Sequence, residues 1–164
     1  FQKIPEAEEW LRLFEKEDFR YPVLLVHAPS QSGKTMWAGS LFSKPLELQV
    51  GQLEFFPDGL RALDRKVHDG LVLDDLRDLV FLSNRQEKIQ ATGVVEFAST
   101  PGGQLAYKKD LYRLPIVVTI NDATTNLNLL HENDFLSNRA NVCVLSFSGR
   151  PGEVPPQKTL PARA

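Results

Sequence analysis

The feature that most constrains this chain of 164 residues is a loop that follows its first strongly apolar run. That run, PVLLVH at 22–27, has the branched residues of a strand buried on both faces, as in a parallel sheet. The loop consists of Ala28, Pro29, Ser30, Gln31, Ser32, Gly33, Lys34 and Thr35. Except at Ala28, it matches the pattern G-x-x-x-x-G-K-S/T, whose backbone N–H groups surround phosphates at the start of a helix. A buried strand, this loop and a helix are therefore expected in direct succession.

Each required residue of the loop has a chemical reason. Gly33 lets the backbone fold tightly, so that successive N–H groups converge on one point. Lys34 can reach the β- and γ-phosphates of a nucleotide, and the Thr35 hydroxyl is a ligand for Mg²⁺. Ala28 departs from the pattern, but alanine is the smallest substitute for glycine. The loop therefore predicts phosphate binding, and the alternative is a chance loop that caps a helix.

The rest of the chain alternates between short apolar runs and polar segments with helical spacing. An amphipathic helix is predicted over 4–18, with Pro5 and three glutamates suited to its first turn. This alternation predicts an α/β layered fold with a mainly parallel sheet. The predicted strands are 22–27, 46–50, 70–75, 115–121 and 142–147, and the predicted helices after the loop are 36–42, 58–67, 83–91 and 126–138.

Polar side chains end two of these strands. The strand LVLDD ends in Asp74, a candidate for the Mg²⁺ shell, and Asp75, a candidate for polarising an attacking water. The strand PIVVTIN ends in Asn121, whose amide can contact both a γ-phosphate and that water. The alternatives are a strand that ends in solvated acids and an Asn121-Asp122 pair that only starts a turn.

Four motifs in this order resemble a known family. The segments SGKTMWA, DGLVLDD, IVVTIND and FLSNRANVCVLSF are similar to those of the superfamily 3 helicase domain of circovirus-like replication initiator proteins. The resemblance covers about residues 20–148. The sequence departs from that family at Ala28 and Gln31, where glycine is frequent, and in a longer segment between Glu96 and Asn121.

The resemblance carries several expectations. It implies a three-layer, AAA+-like P-loop NTPase fold with an inserted β-hairpin. It implies an ATP-driven DNA helicase that works as a ring, expected to be a hexamer, with ATP and Mg²⁺ as cofactors and single-stranded DNA as partner. Lys34, Asp75 and Asn121 take catalytic roles in it, and the host nucleus is its location. The nicking domain of the family has no counterpart here and is expected to precede Phe1.

A hairpin is predicted between the acidic strand and the Asn121 strand. VVEFAS at 94–99 and QLAYKK at 104–109 flank TPGG, a spacing typical of a hairpin with a glycine-bearing loop. By resemblance this hairpin enters the DNA channel, where Lys108 and Lys109 contact phosphates and Tyr107 stacks on a base. Strand alternation puts the two lysines on opposite faces without saying which one faces the channel. The alternative is a solvated hairpin with ordinary charges.

Arg139 is the one arginine between Asn121 and the last strand. In ring ATPases an arginine of a neighbouring subunit stabilises the charge that develops in the transition state. Arg139 matches that role by position, and it is our candidate for this catalytic function. The alternative is a surface arginine that pairs with Glu132 or Asp134, an interaction of low energy.

Composition limits the alternatives. The net charge is −2, from 19 basic and 21 acidic residues, so that contact with nucleic acid must be local or built by repeating one subunit. A single cysteine makes no internal disulfide and fits an intracellular compartment.

We divide the chain into a leading helix at 1–20 for oligomerisation or linkage, an ATPase/helicase domain at 21–148, and a proline-rich tail or linker at 149–164. The rival functions are another P-loop phosphotransferase, such as a small-molecule kinase, and a nucleotide-binding interaction module.

Overall fold

The protein is described by a computed structural model that covers residues 3–29, 33–50, 58–90, 94–97, 106–121 and 124–147. The tail at 149–164 and the hairpin turn at 98–105 lie outside these ranges. The strands are β1 (Val23–His27), β2 (Pro45–Gln49), β3 (Gly70–Asp74), β4 (Val94–Phe97), β5 (Tyr107–Asp110), β6 (Ile116–Ile120) and β7 (Val142–Ser146). The helices are α1 (Pro5–Arg12), α2 (Lys34–Gly39), α3 (Val80–Asn84), α4 (Gln86–Ile89) and α5 (Thr124–Glu132), with 3-10 helices at Leu13–Glu15 and Asp58–Ala62.

Five of the strands form one parallel sheet in the order β2-β3-β6-β1-β7. The inner strands β3 and β6 are buried at every residue, since their Val, Ile and Leu side chains pack on both faces. The predicted α/β class and mainly parallel sheet are confirmed. β4 and β5 pair antiparallel in a separate two-stranded sheet, which confirms the two strands of the predicted hairpin.

Side chains alternate between two cores, one on each face of the sheet. Leu24 and Val26 of β1 pack with α1 and α2, whereas Val23 and Leu25 pack in the core that contains buried residues of α3, α4 and α5. In the first core Trp10 of α1 is 2% exposed, and its Nε1 donates a hydrogen bond to the Pro22 carbonyl at 2.8 Å. The leading helix is thus packed onto the sheet, while its expected role in oligomerisation or linkage stays a prediction.

The predicted helices differ from the observed ones in their bounds. The leading helix predicted over 4–18 is wrong beyond Glu15, because α1 ends at Arg12, a 3-10 helix follows, and the backbone of Lys16 is extended. The helix predicted over 36–42 begins at Lys34 and ends at Gly39. A helix over 58–67 is wrong beyond Ala62, because Asp64 forms a local turn: its Oδ1 accepts from the Lys66 N–H, and its N–H donates to His68 Nδ1. In place of the helix predicted over 83–91 there are two short helices that meet at Arg85: α3, which already begins at Val80, and α4, which ends at Ile89. α5 ends at Glu132, after which the Asn133 side chain accepts from the N–H groups of the next turn.

No helix in the described ranges is long and apolar enough to cross a membrane.

We expect Trp10→Ala to lower the free energy of unfolding by about 3–5 kcal/mol, because it removes a buried indole and leaves a cavity between α1 and β1. Urea denaturation followed by circular dichroism measures this change. Leu13→Ala is the control, since Leu13 is 47% exposed and its loss should change the stability by about 0.5 kcal/mol or less. A loss below about 1 kcal/mol for Trp10→Ala would show that α1 does not belong to the folded core.

Candidate functional site

The carboxyl ends of β1, β3 and β6 meet at one edge of the sheet. β6 lies between the other two strands, with Ile120 beside His27 of β1 and Val118 beside Leu73 of β3. The loop after β1, the acids at the end of β3 and Asn121 after β6 therefore share this edge, which is where open α/β sheets bind ligands. The sequence predicted these three groups, and the strand order places Asn121 between the loop and the acids.

The loop after β1 is anchored at both ends. The Ala28 N–H donates to the Ile120 carbonyl at 3.3 Å, and Ala28 is fully buried. Gly33 has φ +82° and directly precedes α2, where its carbonyl accepts from the Trp37 N–H at 3.0 Å. A Cβ on Gly33 would meet nothing within 4 Å, so the glycine is required for its left-handed backbone and not for space. Ser30, Gln31 and Ser32 lie outside the described residues.

Lys34 is turned back onto this loop. Its side chain is buried, and Nζ lies 3.4 Å from the carbonyl oxygens of both Ala28 and Pro29. Both distances are at the long end for N–H···O hydrogen bonds, so that neither bond holds the ammonium group firmly. The positive charge therefore stays within the loop and is available to an anion that binds there.

Asp74 is the centre of the hydrogen-bond network at this edge. Its Oδ1 accepts from Thr35 Oγ1 at 2.5 Å and from Thr119 Oγ1 at 2.8 Å, and its Oδ2 accepts from Gln49 Nε2 at 3.0 Å. The residue is only 7% exposed. Because a buried carboxylate is costly without hydrogen bonds, these three donors compensate for its burial. The two predicted Mg²⁺ ligands, Thr35 and Asp74, are thus in direct contact.

Asp75 has an unusual backbone. Its φ is +58°, and among the described residues only Arg113 shares a positive φ outside glycine. The Asp75 N–H donates to Thr119 Oγ1 at 2.8 Å, and the next N–H, of Leu76, donates to the Thr119 carbonyl at 2.9 Å. These bonds fix the turn after β3, and with it the point from which the half-buried Asp75 side chain projects.

Sequence reasoning missed Gln49 and Thr119. Thr119 had a signal, because it is the polar residue within the apolar run IVVTI of a buried strand. Gln49 had no local signal, since it ends the edge strand β2 and meets Asp74 only through the pairing of β2 with β3.

Arg139 lies at the opposite edge of the sheet. It is exposed and precedes β7 in the segment whose Asn141 carbonyl accepts from the Val23 N–H, at the start of β1. The four steps from Val23 to His27 of β1 span about 13 Å at 3.3 Å per residue. The predicted role of Arg139 in stabilising transition-state charge therefore concerns the loop of a neighbouring subunit and not the loop of the same chain.

The hairpin strands orient the three predicted DNA-contacting residues differently. The Tyr107 ring stacks on Phe97 with centroids 5.4 Å apart, and the Arg61 guanidinium lies 4.4 Å from its centroid. Lys109 donates from Nζ to the Leu63 carbonyl at 2.7 Å. Lys108 is exposed and lies opposite Glu96 in the register of β4 and β5. Lys108 is thus the lysine on the outer face, while Tyr107 and Lys109 face the rest of the protein.

Compared with models of known protein families, the chain matches none, and a search of curated proteins likewise gives no match.

The surroundings of Cys143 provide a test of where Arg139 lies. Burial raises the pKa of the Cys143 thiol, the nearby Glu9 carboxylate raises this pKa further, and Arg139 lowers it. Arg139→Gln should therefore raise the pKa and slow alkylation by iodoacetamide at pH 8, because less thiolate is present. Glu9→Gln should accelerate the reaction. Arg12→Gln is the control, and the placement of Arg139 is wrong if Arg139→Gln leaves the rate equal to that of this control.

Proposed function

We propose that this chain is a Mg·ATP-hydrolysing motor domain that moves single-stranded DNA as a ring of subunits, with the three-layer, AAA+-like fold of superfamily 3 helicases. The observation that carries the proposal is the contact of Thr35 Oγ1 with Asp74 Oδ1 at 2.5 Å, directly beside the Lys34 loop. That contact joins the start of α2 to the end of the acidic strand, and these are the two elements that together hold Mg²⁺ in P-loop NTPases.

The donor set fits a magnesium ion held together with a nucleotide. Mg²⁺ keeps several waters and binds through one or two protein oxygens plus substrate phosphates. Thr35 Oγ1 and Asp74 Oδ1 supply two such oxygens at one point, and Gln49 holds the other carboxylate oxygen of Asp74. Among the described residues, no three or more His, Cys, Asp or Glu side chains form a group that could hold a metal ion by themselves. When bound, Mg²⁺ neutralises the charge that develops on the β- and γ-phosphate oxygens.

The remaining residues have defined roles in the proposed hydrolysis. Lys34 leaves its two carbonyl contacts and binds the β- and γ-phosphates. Asp75 accepts a proton from the water whose oxygen attacks the γ-phosphorus, while the bond to the β–γ bridging oxygen breaks and ADP departs with that oxygen. The Asn121 amide orients this water, since β6 places it between the loop and the acids. Arg139 of the neighbouring subunit stabilises the transition-state charge.

The positions of two residues, Arg139 and Lys108, support the proposed ring and the proposed DNA contact. Arg139 lies at the edge of the sheet opposite the loop, so a head-to-tail arrangement of subunits would bring it to the next subunit's nucleotide. Lys108 is exposed on the outer face of the hairpin. A net charge of −2 is compatible with DNA binding, because one lysine per subunit is repeated around the channel.

Asp75→Asn should lower the turnover number for ATP by a factor of about 10² or more and leave nucleotide affinity nearly unchanged, because it removes the proton acceptor only. Phosphate release with and without single-stranded DNA measures this, and DNA should stimulate the wild-type rate. Asp78→Asn is the matched control, since Asp78 is an exposed acid of the same segment whose Oδ1 accepts from the Val80 N–H, a bond that asparagine retains. Nucleotide binding without turnover would instead support an interaction module, and transfer to a small acceptor would support a kinase.

Lys108→Ala should weaken binding to single-stranded DNA and reduce the slope of log affinity against log salt by about 0.7, as expected for one lost phosphate contact. Lys109→Ala is the comparison, because the bond from Lys109 to Leu63 predicts lower stability and little change in DNA affinity. Fluorescence anisotropy of labelled oligonucleotide over a salt series measures both variants. Loss of affinity in Lys109→Ala alone would contradict the assigned orientation of the hairpin.

A further inference from the structure

We propose that Thr119 is a positioning residue that couples the two acids, so that one hydroxyl fixes both the Mg²⁺ ligand Asp74 and the proton acceptor Asp75. The inference rests on the proposed function, which assigns those two roles. Thr119 Oγ1 donates to Asp74 Oδ1 at 2.8 Å and accepts from the Asp75 N–H at the same distance, 2.8 Å.

The directions of these two bonds are determined by the atoms involved. A threonine hydroxyl has one proton and two lone pairs. The Asp75 N–H can only donate, so the oxygen of Thr119 accepts there, and its single proton is directed to the Asp74 carboxylate. Thr119 is fully buried, which excludes water as a competing partner. The hydroxyl is therefore held in one orientation by its two bonds.

The bond to Asp75 supports a backbone conformation that aspartate does not readily adopt. A φ of +58° is in the left-handed region, and such residues persist where the surrounding structure holds them. Here the holding contacts come from Thr119, whose Oγ1 binds the Asp75 N–H and whose carbonyl binds the Leu76 N–H. Loss of the hydroxyl removes the partner of Asp75 and allows this turn to relax.

The bond to Asp74 acts on the Mg²⁺ site. Asp74 Oδ1 accepts hydrogen bonds from both Thr35 and Thr119. If a bound cation took the place of the Thr35 proton on this oxygen, Thr119 would remain as the donor that orients it. Thr119 also lies two residues before Asn121, which directly follows β6. The end of β6 therefore sets the relative positions of the acids and the amide.

The test compares Thr119→Val, which keeps the shape and removes the hydroxyl, with Thr119→Ser, which keeps the hydroxyl. ADP affinity is measured calorimetrically in EDTA and in Mg²⁺, and ATP turnover is measured separately. We expect Thr119→Val to keep the wild-type affinity for ADP in EDTA. Its affinity for ADP in Mg²⁺ should be about tenfold lower than that of the wild type, and its kcat for ATP should be lower by about tenfold or more. Thr119→Ser should restore both properties.

Ser146→Ala is the matched control, because Ser146 is a buried hydroxyl residue at the end of β7, on the other side of β1, with Oγ 3.4 Å from His27 Nδ1. It should retain wild-type Mg²⁺ dependence and kcat. If Thr119→Val does not fold, Thr119→Cys replaces it with the same criteria, because a thiol is a weak donor and acceptor.

The outcomes separate this inference from the proposed function. A wild-type chain that hydrolyses ATP, with a Thr119→Val variant that matches it in Mg²⁺ dependence and kcat, would overturn the inference alone. Equal losses in Thr119→Val and Ser146→Ala would also overturn it, since they would reflect the loss of any buried hydroxyl. A wild-type chain that neither binds nor hydrolyses nucleotide would overturn both proposals.

Discussion

The arrangement at the carboxyl edge of the sheet depends on the buried carboxylate of Asp74. Its burial is tolerated because three donors reach it, from Thr35 at the start of α2, Thr119 on β6 and Gln49 at the end of β2. These bonds hold three elements against the end of β3 at a single point. The loop after β1, the turn that carries Asp75 and the end of β6 before Asn121 take their relative positions from it. A substitution at Asp74 is therefore expected to disturb more than one ligand of the proposed nucleotide.

The parts of the fold that the sequence predicts well are those whose signal is local. The apolar runs that become β1, β3 and β6 are nearly continuous, because strands buried on both faces need apolar residues at every position. Gly33 and Lys34 are identified by a pattern of eight residues that requires no knowledge of the remaining chain. The ends of α5 and of the 3-10 helix at Asp58–Ala62 were less predictable, since Asn133 and Asp64 stop them through side-chain bonds to the backbone.

The parts that the sequence does not predict depend on contacts between distant segments. Gln49 meets Asp74 across 25 positions, through the pairing of β2 with β3. Strand alternation predicts that Lys108 and Lys109 lie on opposite faces, but the tertiary structure is needed to show that Lys109, bonded to the Leu63 carbonyl, is the one that faces the protein. Trp10 reads as part of a separate leading helix, whereas its burial against β1 and α2 comes from the way the chain folds back. Each of these contacts forms through tertiary packing between distant segments and cannot be predicted from a local sequence pattern.

The most direct test of the proposed site is the dissociation constant for Mg·ATP of the wild-type chain and of Lys34→Ala, measured by calorimetry at one salt concentration. The charge of Lys34 is buried within the loop, 3.4 Å from each of two carbonyl oxygens and bound firmly to neither. We predict saturable binding by the wild-type chain and at least about tenfold weaker binding by Lys34→Ala, since a charge-assisted contact to phosphate is lost. Equal affinities, or no binding by a folded wild-type chain, would contradict the assignment of this edge as a nucleotide site.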